Sequence, residues 1–210
     1  MRKQILIFII TFLSISTMAQ NDFHRWQIGA SFSPDALGYL PGDDYHGKFN
    51  FTTGLNTVYK FTNSFGIETG VFFSNIRFRY VRGSDVPAAH YTFRYINVPL
   101  RANYYFGKGE VRGLTTLGAV ANFRQYASLK YNSKWQGQWH EEMLDITEKI
   151  NFSTLIGIGM ECKLSDRFTL RAIPIVRLGL KENFAYYYSR TLEKNLWSLG
   201  AEIGVFYRIK

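Results

Sequence analysis

Hydrophobic and polar residues alternate with a period of two along most of the chain after its first nineteen residues. In the stretch 49–61 the odd positions are aromatic, leucine or threonine, whereas the even positions include Asn50, Asn56 and Lys60. The same alternation recurs in 96–106, 111–123, 152–162 and 197–209. Successive side chains of a β-strand point to opposite faces, whereas an amphipathic helix shows apolar spacings of three and four. The pattern therefore predicts strands with one apolar and one polar face.

The connections between these strands alternate in length. Short turns are predicted at 62–64, 107–110 and 165–167, and long polar connections at 34–48, 82–90, 127–150 and 181–195. Seven connections join eight strands, and both termini fall at the end with the short turns. Outer-membrane barrels have this arrangement, in which an even number of strands lets the sheet close without free edges. The sequence therefore predicts an all-β fold, an eight-stranded antiparallel up-and-down transmembrane β-barrel.

Alternation alone does not distinguish lipid from water, because a soluble lipocalin-like barrel places its apolar face inside. The apolar parity here is free of charge for about ten residues per strand, which at a tilt of about 40° spans about 26 Å of membrane. The polar parity carries sparse charges of mixed sign, fewer than a surface in water normally has. We therefore expect the apolar face to contact lipid. The charged residues expected inside the barrel are Lys60, Glu68, Arg101, Glu161, Arg171 and Glu202.

The lumen of an eight-stranded barrel is just wide enough to be filled by side chains. We expect the interior charges to pair with one another, near Asn56, Asn97 and Asn103, because an unpaired buried charge costs several kcal/mol. A narrow porin with a gated ion path is the alternative.

Aromatic residues are expected to form two girdles where the apolar band meets the headgroups. The girdle near the short turns would contain Phe61, Phe65, Tyr104, Phe106, Phe168 and Tyr207. The girdle toward the long loops would contain Tyr80, Tyr91, Phe93, Tyr126 and Trp197.

Residues 1–19 have the pattern of a secretory signal peptide. Arg2 and Lys3 precede an apolar stretch from Ile5 to Ile15, and small residues lead to Ala19. The stretch is too short for a membrane-spanning helix, which needs about 20 apolar residues. Cleavage would remove two cations from the net charge of +9 and leave +7. We expect residues 20–210 to form the outer-membrane β-barrel domain.

Motifs for catalysis or cofactor binding are missing from the sequence. A single cysteine, Cys162, excludes an internal disulfide and a CxxC site. His140 and Glu141 begin a zinc motif of the HExxH type, but Leu144 stands where the second histidine would be. No glycine-rich nucleotide motif precedes a helix, and the cations form no dense run that would indicate nucleic-acid binding. We therefore expect no enzyme activity, no cofactor, no metal and no nucleic-acid partner.

Several short motifs resemble one family. They are YINVPL (95–100), ANYYFG (102–107), GIETG (66–70), GIGME (157–161) and LSDRF (164–168). With them the chain resembles the outer-membrane β-barrel family common in Bacteroidota, which includes PorT-like proteins and has an eight-stranded barrel like those of OmpA and OmpX. The resemblance implies an outer-membrane location and carries no catalytic residues. At Pro99 we expect either a local bulge or an N–H position that faces a kinked partner strand, because proline cannot donate a hydrogen bond to a neighbouring strand.

The connection 127–150 has two interpretations. Trp139, Met143, Ile146 and Ile150 have helical spacing, which favours a short amphipathic helix over the barrel mouth. Alternatively, the flanking strands extend beyond the membrane.

We expect the protein to be an integral outer-membrane barrel with a structural, adhesion or envelope-assembly role, since loops on a rigid scaffold commonly carry recognition. The candidate recognition residues are Trp135, Trp139, Tyr186, Tyr187 and Tyr188. Expected partners are outer-membrane lipid and lipopolysaccharide, together with an envelope or surface protein. The cations expected to contact lipopolysaccharide phosphates are Arg77, Arg79, Arg82 and Lys130.

Overall fold

The computed structural model describes residues 24–38, 45–80, 89–133, 137–142, 149–179 and 197–209. The expected signal peptide, Arg82, Trp135 and Tyr186 to Tyr188 lie outside these ranges. The strands are β1 (Trp26–Gly38), β2 (Tyr45–Gly47), β3 (Asn50–Lys60), β4 (Phe65–Tyr80), β5 (Ala89–Phe106), β6 (Val111–Ser133), β7 (Gly137–Glu142), β8 (Ile150–Lys163), β9 (Phe168–Gly179) and β10 (Trp197–Ile209). None of the described residues forms a helix that is long and apolar enough to cross a membrane.

Eight of the strands close into a barrel in which every neighbouring pair is antiparallel. The order around the barrel is β1, β3, β4, β5, β6, β8, β9 and β10, and β10 pairs with β1 to complete the circle. Trp26 lies opposite Ile209, so the first and last strands meet at the end with the short turns. Closure pairs each strand on both sides and confirms the predicted fold class.

One side of the barrel continues beyond the rest at the long-loop end. β2 pairs with β4 from Tyr45 opposite Tyr80, and β7 pairs with β6 from Ser128 opposite Glu142. We call β2, β7 and residues 76–80, 89–94 and 126–133 the extension. Of the two interpretations of 127–150, strand extension is the one observed over 127–133 and 137–142. The helical interpretation is wrong for Trp139, which lies in β7, while Met143 and Ile146 lie outside the described residues.

Lipid-facing and lumen-facing residues alternate along the barrel strands. Leu100 in β5 is 64% exposed and its neighbour Arg101 only 3%. In β10, Ile203 is 51% exposed, whereas Glu202 is 3% exposed. Apolar side chains therefore cover the outside of the barrel and charged ones lie in its lumen.

The apolar face reverses in the extension. Phe78, Tyr91 and Phe93 point inward and are nearly fully buried, with Phe78 stacked on Tyr91 at 4.8 Å between ring centroids. Arg79 and Arg94 point outward and are exposed. A β-bulge in β6 opposite Arg94 and Tyr95 shifts the register at this level. Beyond the lipid the outer face meets water, so the polar side chains belong outside and the apolar ones inside.

This reversal corrects the girdle expected at the long-loop end. Tyr91 and Phe93 are 6% and 2% exposed, so they line the interior and do not face lipid. Tyr126 is half-buried and Trp197 exposed, while the side chain of Tyr80 is outside the described set. At the short-turn end the expected aromatic side chains all face outward. They pack in pairs such as Phe65 with Tyr104 and Phe168 with Tyr207.

Of the two expectations at Pro99, the bulge is wrong. The register between β5 and β6 runs without a shift from Tyr95 to Phe106 and pairs Pro99 with Val120. On the other side, the β4–β5 register is unchanged, but no pairing is formed between Gly70–Val71 and Val98–Pro99. The Thr69 hydroxyl donates to the Pro99 carbonyl oxygen at 2.8 Å. The missing N–H is thus tolerated by a local interruption of one ladder.

Candidate functional site

Six charged residues meet in the lumen of the barrel. Lys60 ends β3, Glu68 lies in β4 and Arg101 in β5, and Glu161, Arg171 and Glu202 come from β8, β9 and β10. All six have the inward parity of their strands and are at most 4% exposed. These are the residues for which the sequence predicted an interior position, and the structure brings all of them together.

The six charges form one continuous chain of ion pairs, which we call the charge network. Glu161 accepts from Lys60 Nζ at 2.9 Å and from Arg171 Nη2 at 3.1 Å. Glu68 links Arg171 Nη1 at 2.7 Å to Arg101 Nη1 at 3.2 Å. Arg101 then contacts Glu202 Oε1 at 2.9 Å. Three cations and three anions leave the network neutral.

Neutral side chains complete the hydrogen bonding of Glu68. Asn56 Nδ2 donates to one carboxylate oxygen and Asn103 Nδ2 to the other, each at 2.8 Å. Asn97, which was expected to lie near the charges, instead donates to Ser74 Oγ. Burying ions is costly unless their remaining lone pairs and protons are satisfied. The two asparagines reduce that cost at the carboxylate with the most partners.

Aromatic rings lie against two of the network cations, Arg171 and Lys60. Arg171 lies 3.9 Å from the centroid of the Phe206 ring, and its Nη2 donates to Tyr105 Oη at 3.1 Å. Lys60 Nζ lies 3.9 Å from the centroid of the Tyr105 ring. Such contacts stabilise a cation that has lost its water. Together with the charge network, these rings occupy the middle of the lumen.

A second polar cluster lies nearer the long loops. Arg177 Nη1 contacts Asp35 Oδ1 at 2.5 Å, and the Ser33 and Thr52 hydroxyls each donate to Asp35 at 2.8 Å. Sequence reasoning missed this pair because Asp35 was assigned to the connection 34–48, whereas β1 continues to Gly38. Arg177 lies six residues after Arg171 in β9 and therefore on the same inward face, and this spacing could have identified Arg177 as a residue of the lumen.

Cavities lie at both ends of the lumen. One of about 140 Å³ at the short-turn end is lined by Lys60 and Glu161 of the charge network. Another of about 100 Å³ at the long-loop end is lined by Asp35 and Arg177. Within the described residues, no three His, Cys, Asp or Glu side chains are grouped so that they could hold a metal ion.

We expect Glu68→Gln to destabilise the protein by about 3 to 5 kcal/mol, because it leaves Arg101 and Arg171 without their shared carboxylate. Urea unfolding in lipid vesicles, followed by tryptophan fluorescence, would measure the change. Asp166→Asn is the control, since the pair of Asp166 with Lys163 lies at the surface and contributes little. Equal stability of the Glu68→Gln variant and the unmodified protein would contradict the role given to the network.

The architecture matches that of known outer-membrane proteins. OprG from Pseudomonas aeruginosa has 13% sequence identity and a TM-score of 0.52, with 90% of this chain and 98% of that chain covered. Ail from Yersinia pestis has 16% identity and a TM-score of 0.47, with 88% and 97% covered. Neisserial surface protein A has 10% identity and a TM-score of 0.48, with the same coverage. At 13% identity the similarity to OprG concerns the fold alone.

A search of curated proteins finds no significant match in sequence. The profile of the family described as "Outer membrane protein beta-barrel domain" matches residues 5–173. That match covers most of the chain and agrees with the apolar exterior of the barrel. It is not compatible with the soluble lipocalin-like barrel considered from the sequence. The chain therefore belongs to the outer membrane protein beta-barrel domain family and is located in the outer membrane.

Proposed function

We propose that the protein is a non-conducting component of the outer membrane with a structural, adhesion or envelope-assembly role, which it performs by binding through its extension and loops. The observation that carries the proposal is the charge network in the lumen below a β-structure that projects beyond the barrel. The motifs in 95–107 support placing the chain with the PorT-like barrels of Bacteroidota within the family.

The charge network argues against a pore. Each of its cations has a carboxylate partner at 3.2 Å or less. An ion that passed through the lumen would have to break these buried pairs, which is unfavourable. The side chains in the lumen thus stabilise the barrel and do not form a transport path.

The extension is suited to recognition because it is an ordered sheet outside the lipid. Its inward face is held by a buried cluster that includes Phe78, Phe93 and Leu129. In barrels of this type the long loops face the cell exterior. A rigid scaffold with loops at its tip is where binding residues are commonly found.

The positive charge on the outward face of the extension favours lipopolysaccharide as one partner. Arg77, Arg79, Arg94 and Lys130 are exposed there, just beyond the lipid-facing part of β4 and β5. Partial burial and the neighbouring cations Lys48 and Arg79 lower the pKa of His90, as expected in a region of positive potential. Phosphate groups of the outer leaflet have the complementary charge.

We expect the purified protein to show no discrete conductance steps in planar lipid bilayers at neutral pH. The conductance of a general porin with a wide pore, measured in the same membranes, would serve as the positive control. Reproducible single-channel steps that depend on Glu68 or Arg101 would favour the narrow-porin alternative and overturn the non-conducting role.

The loop aromatics provide the test of a protein partner. We expect a variant with serine at Trp135, Trp139 and Tyr186 to Tyr188 to lose chemical crosslinks to surface or envelope proteins on intact cells. Heat-modifiable migration of the variant in detergent gels would show that the barrel is still folded. Unchanged crosslinking of a folded variant would place the contact elsewhere and contradict the role of these loops.

For lipopolysaccharide, we expect Arg77→Gln with Arg79→Gln to weaken binding to the protein in vesicles and to reduce its dependence on salt. Lys108→Gln with Arg167→Gln removes the same charge at the opposite end of the barrel and should leave binding unchanged. Dephosphorylated lipopolysaccharide should bind both forms equally weakly. The proposal fails if the first variant binds phosphorylated lipopolysaccharide as well as the second.

A further inference from the structure

The cavity at the long-loop end is the mouth of the lumen. It has a volume of about 100 Å³, and each of the eight strands of the barrel contributes at least one side chain to its wall. Below it lies the charge network, so that it is a closed-bottomed cup rather than a passage. A cup of this kind, with convergent polar groups, is the usual form of a small-molecule site.

The polar wall of the cavity is electrically neutral. Its two charged residues, Asp35 and Arg177, pair with each other at 2.5 Å. The rest of the polar wall is mainly hydroxyls and four side-chain amides, those of Asn50, Asn97, Asn122 and Asn151. A charged ligand would have to separate the internal ion pair to find a partner, which is costly in a confined site. The wall therefore favours a neutral ligand with many hydrogen-bonding groups.

Two of the lining amides are incompletely satisfied. Asn50 Oδ1 accepts from the backbone N–H of Arg77 at 2.6 Å, but its Nδ2 has no hydrogen-bond partner. Asn97 Nδ2 donates to Ser74, but its Oδ1 has none. Both side chains are at least nine-tenths buried, and buried polar groups without partners are rare in folded proteins. The wall of the cavity thus contains one unused donor and one unused acceptor, both with almost no accessible surface, which a ligand would reach after the amide groups turn.

An aromatic and aliphatic wall completes the cavity. Phe93 and Tyr95 lie side by side, with 6.3 Å between their ring centroids and 17° between their planes, and Ile76 lies on the adjacent strand. An apolar ring face beside several neutral hydrogen-bonding groups is complementary to a sugar ring, which has C–H groups on its faces and hydroxyls at its edge. The cavity is smaller than one of about 150 Å³ that holds benzene and is open at its outer end, so a single sugar ring would enter it in part, with its remaining hydroxyls at the opening.

We propose that the mouth of the lumen, lined by Asn50, Asn97, Asn122, Tyr95 and Arg177, binds a single ring of a neutral polyhydroxylated ligand, a sugar. Each hydroxyl of such a ligand both donates and accepts, so a ligand of this class can supply an acceptor to Asn50 Nδ2 and a donor to Asn97 Oδ1 when these amides turn toward it. The site lies inside the barrel and is separate from the outward cations and loop residues considered above. It therefore holds whether or not those surfaces bind their own partners.

The experiment is a titration of the isotope-labelled barrel in zwitterionic detergent, because a maltoside headgroup would itself compete. The probes are glucose, galactose and mannose, with glucuronate and glucosamine as charged counterparts of the same size. We expect at least one neutral sugar to shift the side-chain amide resonances of Asn50, Asn97 and Asn122 in a saturable way. The charged sugars should bind at least about tenfold more weakly, a difference of about 1.4 kcal/mol.

Two matched variants test the location. Ser198→Phe places a ring in the cavity and should raise the Kd of the neutral sugar by at least about tenfold. Leu199→Phe adds the same ring to the neighbouring lipid-facing position and should leave the Kd unchanged. Asn97→Ala, which removes the unused acceptor without filling the space, should also weaken binding and serves if Ser198→Phe does not fold.

The proposal is overturned if no neutral sugar produces a saturable shift, which would leave the cavity as a site for water only. It is equally overturned if glucuronate or glucosamine binds as well as the neutral sugars. Unchanged affinity in folded Ser198→Phe and Asn97→Ala variants would place any sugar binding outside the lumen and would also contradict it.

Discussion

The structure depends on the requirement that every backbone N–H and C=O within lipid be paired inside the protein, because the hydrocarbon offers no partner. Closing β10 onto β1 gives each of the eight barrel strands an antiparallel partner on both sides, which supplies most of this pairing. Closure also creates an interior whose middle is filled by side chains. Once the apolar parity faces the lipid, the other parity must fill that interior. The charge network follows, since each polar side chain there needs a partner of its own.

The reversal of the apolar face marks where the membrane ends. In the barrel, Leu100 and Ile203 face outward, whereas in the extension the apolar Phe78 and Phe93 face inward. The bulge in β6 between the two regions allows Ala127 and Leu129 to join the inward cluster. In lipid the apolar side chains thus lie outside and the polar ones inside, and beyond the lipid the arrangement is that of a water-soluble protein. This second part gives the protein a rigid surface above the membrane.

Strand parity carried most of what could be predicted from the sequence. It gave the closed barrel and the inward position of residues such as Glu68 and Arg171, because one rule applies along each strand. The prediction was wrong for Tyr91 and Phe93, which were expected to face the lipid as part of a girdle. They lie at alternate positions of β5 in line with Arg101, and this spacing indicates an inward orientation. Asp35 was missed because the length of β1 depends on pairing with β10, which lies far away in the sequence. Neither the ion pairs nor the mouth cavity could be predicted in detail, since they require the order of all strands around the barrel.

The orientation of the two faces is tested most directly by nuclear Overhauser contacts between lipid acyl chains and methyl groups of the protein in bilayer discs. Leucine and isoleucine occur on both faces, so residue type is matched. The account predicts contacts from acyl protons to Leu100, Leu117, Ile158 and Ile203, which are exposed in the structure, and none to the buried Leu114, Leu155 and Ile173. Acyl contacts to the second group, or their absence from the first, would contradict the membrane-facing assignment.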